Sequence, residues 1–200
     1  MTHLATLLAT LALALAALPA QAEKIPLEAL SAYLNGLGAA KSGFVQVNAD
    51  GSSTTGMLYL QRPGRMRFEY APPDANLVLA SAGQVAIFDA KSNEPPEQYP
   101  LARTPLNLVL GRDIDLENAG MVAEHTEEDG ATRLRAQDPK HPEYGAIDLY
   151  FTAEPLRLVR WVITDDLGQE TTILLDMLLP VDGFGPTFFS LETEKRKRGF

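Results

Sequence analysis

Gly56-Met57-Leu58-Tyr59-Leu60-Gln61-Arg62-Pro63-Gly64-Arg65-Met66-Arg67-Phe68-Glu69-Tyr70 reads as two short strands around a tight turn. In the second half Met66, Phe68 and Tyr70 alternate with Arg65, Arg67 and Glu69. A period of two sends alternate side chains to opposite faces, so this strand is expected to have one apolar, buried side and one charged, solvated side. Arg62-Pro63-Gly64 supplies the turn chemistry. Which residues of the first half face inward depends on the loop. A two-residue loop turns Met57 and Tyr59 inward, whereas a three-residue loop turns Leu58, Leu60 and Arg62 inward.

The same punctuation recurs on both sides. Asp50-Gly51, Pro72-Pro73-Asp74, Ser81-Ala82-Gly83, Asp129-Gly130 and Asp166-Leu167-Gly168 separate short runs rich in Val, Ile, Phe, Tyr and Thr. Candidate strands are 43–49, 55–61, 65–70, 76–80, 84–89, 97–101, 117–125, 131–136, 145–152, 156–163 and 170–178. About ten antiparallel strands with one polar face each make a strongly curved sheet or barrel rather than a parallel fold. Two segments break the pattern. Pro26 opens a helix with Leu27, Leu30, Leu34 and Leu37 on one face, closed by Gly36 and Gly38. Thr104-Pro105, then Leu106, Leu108, Val109 and Leu110 up to Gly111, read as cap, first-turn proline, apolar turn and terminating glycine. These helices cover an open face of the sheet, either as a movable lid or as ordinary core-covering helices; the pattern does not separate the two. Lys91 to Glu97, with two prolines, reads as a mobile loop.

Leu4 to Leu18 is an uncharged run of Leu, Ala and Thr followed by Pro19 and the small-x-small sequence Ala20-Gln21-Ala22. It is shorter than the roughly 20 apolar residues of a spanning helix, and it reads as a secretory signal over 1–22 with one domain over 23–200. The chain has no cysteine, which removes disulfides, thiolate metal sites and a lipid-bearing Cys at the cleavage point. The formal net charge is −9, so nucleic acid is not an expected partner. Lys195, Arg196, Lys197 and Arg198 form a basic run near the end. A frayed, solvated tail over 195–200 is the plainer reading, and an electrostatic contact with a membrane or partner the sharper one.

Residue types for catalysis are sparse. His125 lies in a candidate strand and His141 in the polar 138–143 loop, without metal-ligand spacing. Neither a nucleophile elbow nor a phosphate-binding loop is present. Asp113, Asp115, Glu117 and Glu124 are spaced like part of a calcium loop, but Asn118 stands where its sharp turn needs glycine. No catalytic residue, metal or cofactor is expected.

The opening stretch, continued through Ala71 and Pro72, resembles the signature strand pair of the LolA family of lipoprotein carriers. In that family the pair is followed by a strand ending in a small-residue turn, as in Leu77 to Gly83, an aromatic strand, as in Val85 to Asp89, and a Thr-Pro-apolar helix, as in Thr104 to Leu110. The order matches from the amino terminus to about Leu110. After Glu194 the chain departs from the family, with a basic tail in place of the closing segments. The resemblance implies a mainly β, α+β fold, an incomplete and strongly curved antiparallel β-barrel of about eleven strands with helices as a lid over an apolar cavity. It also implies that the Arg of the Arg-Pro turn, here Arg62, bonds to the lid helices and ties closure to cargo. Without the family, Arg62 reads as a surface arginine beside a turn. The three-residue loop is preferred because it aims Arg62 at the lid. The expected acyl-cavity wall is then Leu58, Leu60, Met66, Phe68 and Tyr70, with Leu106, Val109 and Leu110 above it.

The implied function is that of a soluble, monomeric periplasmic carrier rather than an enzyme. It would take acylated lipoproteins from an inner-membrane ABC transporter and hand them to an outer-membrane acceptor. Two other classes stay open: a lipid- or lipoprotein-sensing regulatory protein of a related barrel fold, and an unrecognised hydrolase.

Overall fold

The computed structural model describes residues 24–200. The signal sequence expected over 1–22 lies outside the described residues. Helix α1 (Leu27–Gly36) leads into strand β1 (Ala39–Val47), then β2 (Ser53–Gln61), β3 (Arg65–Tyr70), β4 (Leu77–Ser81), β5 (Gln84–Phe88) and β6 (Glu97–Pro100). A 3-10 turn (Leu101–Arg103) and the one-turn helix α2 (Asn107–Leu110) follow. The second half holds β7 (Val122–Glu128), β8 (Ala131–Gln137), β9 (Ala146–Ala153), β10 (Leu156–Thr164), β11 (Glu170–Leu175), β12 (Leu179–Pro180) and helix α3 (Leu191–Lys197).

Among the described residues all pairings are antiparallel and join one twelve-stranded sheet in the order β6-β5-β4-β3-β2-β1-β11-β10-β9-β8-β7, with β12 also on β1. The outermost strands β6 and β7 do not pair with each other, so the barrel is incomplete. Its register follows from the decisive stretch. Gln61 stands opposite Arg65, which leaves residues 62–64 as a three-residue turn, and Leu60 faces Met66 while Leu58 faces Phe68. Gly64 takes a positive φ of 72° there, a conformation glycine adopts without steric cost. Gly56, opposite Tyr70, is required for another reason. A Cβ at that position would stand 2.2 Å from the Glu69 carbonyl and 2.7 Å from the Phe44 ring.

Two apolar clusters lie on opposite sides of the sheet. The larger fills the concave side, where Phe44, Leu58, Leu60, Met66, Phe68, Leu149, Phe151 and Trp161 pack beneath Leu30 and Leu34 of α1 and Val109 and Leu110 of α2. The ring of Phe68 meets Phe44 and Trp161 edge-on at centroid distances of 5.1 and 6.1 Å, a favoured aromatic geometry. The smaller cluster lies on the convex side: Leu77, Leu79, Ala86 and Phe88 are covered by Phe184, Phe188, Phe189 and Leu191, with Tyr59 beside them.

Several details depart from the sequence reading. Arg67, expected on a solvated face, is only 8% exposed. The C-terminal segment covers it, the carboxylates of Glu69 and Glu194 pair with it at 2.7 and 3.2 Å, and the Phe188 carbonyl accepts from it at 3.1 Å. Residues 195–197, expected within a frayed tail, form the last turn of α3. Ser190 accepts from the Thr193 amide at its start, with acidic residues in the first turn and basic ones in the last, the charge order that a helix dipole favours. The strand expected over 117–125 begins only at Val122, because Asp115 accepts from the amides of Glu117 and Asn118 and holds them in a turn. The run 170–178 breaks after Leu175 and rejoins β1 at Leu179. Thr104 does not cap α2; its hydroxyl donates back to the Leu101 carbonyl.

Candidate functional site

The apolar residues expected at the site share one cluster, with Tyr70 packed against it. Leu58, Leu60, Met66 and Phe68 point to the concave side and are between 0 and 5% exposed. Val109 and Leu110 of α2 and the adjoining Leu106 belong to the same cluster. Tyr70 lies at its margin, half-buried, with its hydroxyl donating to Gln46 Oε1 at 2.6 Å. Burial pushes the Tyr70 phenol up to about 12, so it is a neutral donor across the ordinary pH range. The alternative inward residue, Tyr59, packs on the convex side against Phe184 and Phe188.

Arg62 stands in the turn between β2 and β3 and reaches across to both helices. Its Nη1 donates to the Leu34 carbonyl near the end of α1, and its Nη2 donates to the Gly111 carbonyl just after α2 at 2.6 Å. The same nitrogen also meets Asn35 Oδ1 at 3.2 Å. Next to it the Gly64 amide donates to the Leu110 carbonyl at 2.9 Å. Helix C-termini leave carbonyls without intrahelical partners and carry partial negative charge. A guanidinium, with five donors on a planar fork and a permanent charge, matches two such ends at once. Burial lowers the Arg62 pKa from its ordinary value, and the charge of Asp113 works against that shift. The Arg62 Nε is buried without a hydrogen-bond partner.

The helices meet the sheet elsewhere as well. Tyr33 of α1 accepts at its hydroxyl from the Leu158 amide at 3.1 Å and meets Phe151 edge-on. Ahead of α1, the Ile25 amide donates to Thr132 Oγ1 at 2.9 Å. His125 Nε2 meets the Ile25 carbonyl at 2.9 Å, and burial pulls this histidine below its ordinary pKa. A hollow of about 180 Å³ opens beside α2, lined in part by Leu108, Gly111, Ile114, Leu116, Met121 and Ala136.

The model of the family described as "Outer membrane lipoprotein carrier protein LolA" matches residues 35–191. The chain belongs to the LolA family. A protein of Methylococcus capsulatus named outer-membrane lipoprotein carrier protein is 27% identical over 161 residues, which is 76% of each chain. One of the same name from Chromohalobacter salexigens is 28% identical over 177 residues, or 84% of this chain and 81% of that one. The solved structure of a LolA superfamily protein from Nitrosomonas europaea covers 84% of this chain and 99% of its own, at 8% identity and a TM-score of 0.46. As expected for a LolA protein, the sheet is antiparallel and unclosed, with few helices among the described residues.

Ser31, Asn35, Ile114 and Leu116, which join α1 to the segment after α2, were not singled out by the sequence pattern. Only Asn35 carried a signal, as a polar residue beside Leu34 at the glycine-marked end of a helix.

Proposed function

We propose that this LolA-family chain carries acylated lipoproteins across the periplasm, holding their acyl chains between the concave sheet face and the two helices. The observation that supports this reading best is Arg62, a turn residue of the sheet bonded to the C-terminal carbonyls of two separate helices. In the closed state the concave side is filled by the protein's own side chains. Cargo enters when α1 and α2 lift, and Leu58, Leu60, Met66, Phe68, Leu106, Val109 and Leu110 then wall the acyl chain.

Magnitudes favour a latch of this kind. Each buried CH₂ is worth about 0.8 kcal/mol, so one long acyl chain exposed to water costs on the order of 10 kcal/mol. Between bilayer and protein the same chain gains little, because both surroundings are apolar. The direction of transfer is therefore set by smaller terms. Hydrogen bonds to a charged group contribute about 1.5–3 kcal/mol each, and lifting the helices breaks those of Arg62. The closed, empty state is favoured by that amount, which drives release to an outer-membrane acceptor. Loading needs an energy source outside the chain, supplied in this reading by an inner-membrane ABC transporter.

The test is to purify the protein from the periplasm and analyse what accompanies it by lipid and peptide mass spectrometry. Acylated peptides are expected with the wild-type chain and in greater amount with Arg62→Leu. Both preparations free of acylated material would overturn the carrier reading.

A further inference from the structure

Helix α1 and the segment following α2 are stitched together by side chains of α1. Asn35 Nδ2 donates to the Ile114 carbonyl at 2.8 Å, and Asn35 Oδ1 accepts from the Ile114 amide at 3.0 Å. One side-chain amide thus satisfies both backbone groups of one residue. One helical turn earlier, Ser31 Oγ accepts from the Leu116 amide at 3.0 Å and donates to the Leu27 carbonyl at 2.8 Å. Between Gly111 and Leu116 the chain is neither helix nor strand, so these side chains stand in for a ladder. The apolar side agrees: Ile114 and Leu116 are buried in the same cluster as Leu30 and Leu34.

The arrangement bears on Arg62, whose two carbonyl acceptors, Leu34 and Gly111, belong to different segments. A rigid fork engages both only if their spacing is fixed. Asn35 directly follows Leu34, and Ile114 lies three residues after Gly111, so the Asn35–Ile114 pair sets that spacing. Asn35 Oδ1 also accepts from Arg62 itself.

We propose that Asn35 is a positioning residue for the latch: it makes α1 and the segment 107–116 one body, which Arg62 holds or releases as a whole. The purpose of this coupling rests on the carrier reading; the coupling itself does not.

Hydrogen exchange followed by mass spectrometry on the full chain, without cargo, tests it. In Arg62→Leu the amides of α1 and of 107–116 should gain exchange in step. In Asn35→Ala the two should part, with exchange in 107–116 rising roughly tenfold, the equivalent of one to two lost hydrogen bonds, and α1 changing less than about twofold. Strands β9 and β10 serve as the reference for global opening. If they rise too, the comparison passes to Asn35→Asp, which keeps an acceptor for the Ile114 amide and, now charged, for Arg62, and loses the donor to the Ile114 carbonyl; the same separation must then be seen, though smaller. Exchange that stays in step in these variants, or segments already independent in the wild type, would overturn the coupling. Delivery assays keep the two readings apart. Asn35→Ala should slow cargo release when Arg62 is present and add nothing in Arg62→Leu, whereas normal release by Arg62→Leu counts against the carrier reading and leaves the exchange result standing.

Discussion

The guanidinium of Arg62 donates to the backbone carbonyl of Leu34, 28 positions earlier in the chain, and so bridges a turn of the sheet to the end of the first helix. Because the acceptor is a backbone atom, the contact requires the side chain at 62 and no particular side chain chemistry at 34. Arg62→Leu should therefore leave loading intact and slow delivery to the acceptor. Lysine, with a single ammonium in place of a planar fork, should restore little of the rate. Delivery of a fluorescently labelled lipoprotein to acceptor-bearing vesicles measures this; equal rates for the wild-type and Arg62→Leu chains would count against a latch.

Met66 and Phe68 lie within the concave cluster at 1 and 5% exposure. A carboxylate at either position puts an unpaired charge on an apolar wall. Met66→Glu and Phe68→Glu should each weaken binding of a fluorescent acyl probe by about tenfold or more, whereas Tyr59→Glu, on the convex side, should not. Thermal melts establish that the variants are folded, and a probe affinity unchanged in both inward variants would move the acyl site elsewhere.

Glu194 lies against Arg67 and Lys197 at 3.2 and 2.9 Å. Burial raises its pKa, but the hydrogen bond from Lys197 and the charge of Arg67 outweigh that and hold it below the ordinary 4.5. A folded value below the unfolded one adds stability above pH 4.5, and this contribution is lost as pH falls through the lower value. Glu194→Gln should lower stability near neutrality by about 1–3 kcal/mol, because a buried guanidinium loses one of its two charge partners and keeps only Glu69. Its melting temperature should then fall less steeply with acid than that of the wild type. Parallel acid profiles for the two chains would show that the pair is not formed in solution.

Gly56 has no room for a side chain, since a Cβ would meet both the Glu69 backbone and the Phe44 ring. Gly56→Ala must push the β2–β3 pair or Phe44 aside, at a cost of about 1–3 kcal/mol. Chemical denaturation should show this loss; a change below about 0.5 kcal/mol would mean the strands are free to shift there.

Much of this fold was legible from alternation alone. Met66, Phe68 and Tyr70 against Arg65, Arg67 and Glu69 defined a strand and its inward face, and Asp129-Gly130 marked a hairpin whose flanking residues Glu128 and Ala131 do pair. The convex cover was not legible, because a charged residue buried by an ion pair with a distant segment, as Arg67 is by Glu194, has the same local pattern as a solvated one. The start of β7 was misread because propensity over 117–121 does not register that the Asp115 carboxylate captures the next amides. The Thr-Pro helix proved shorter than its apolar run, Thr104 being used by the preceding turn. For the site, the apolar members followed from strand parity once the loop length was chosen. Arg62 came from the family resemblance alone, since nothing local distinguishes an arginine aimed at two helix ends from one in solvent. Asn35 and Ile114 meet across 79 positions, a separation that no local pattern encodes.

In the proposed transfer cycle, cargo lifts the helices from the concave face. The chain has no cysteine, so spin labels can be attached at Ala32→Cys on α1 and Ser53→Cys on β2, both exposed, and their separation measured by pulsed electron paramagnetic resonance with and without a bound acylated lipoprotein. A longer distance is expected on loading, and a return to the short one after delivery. An unchanged distance in a sample shown to hold its cargo would contradict that cycle.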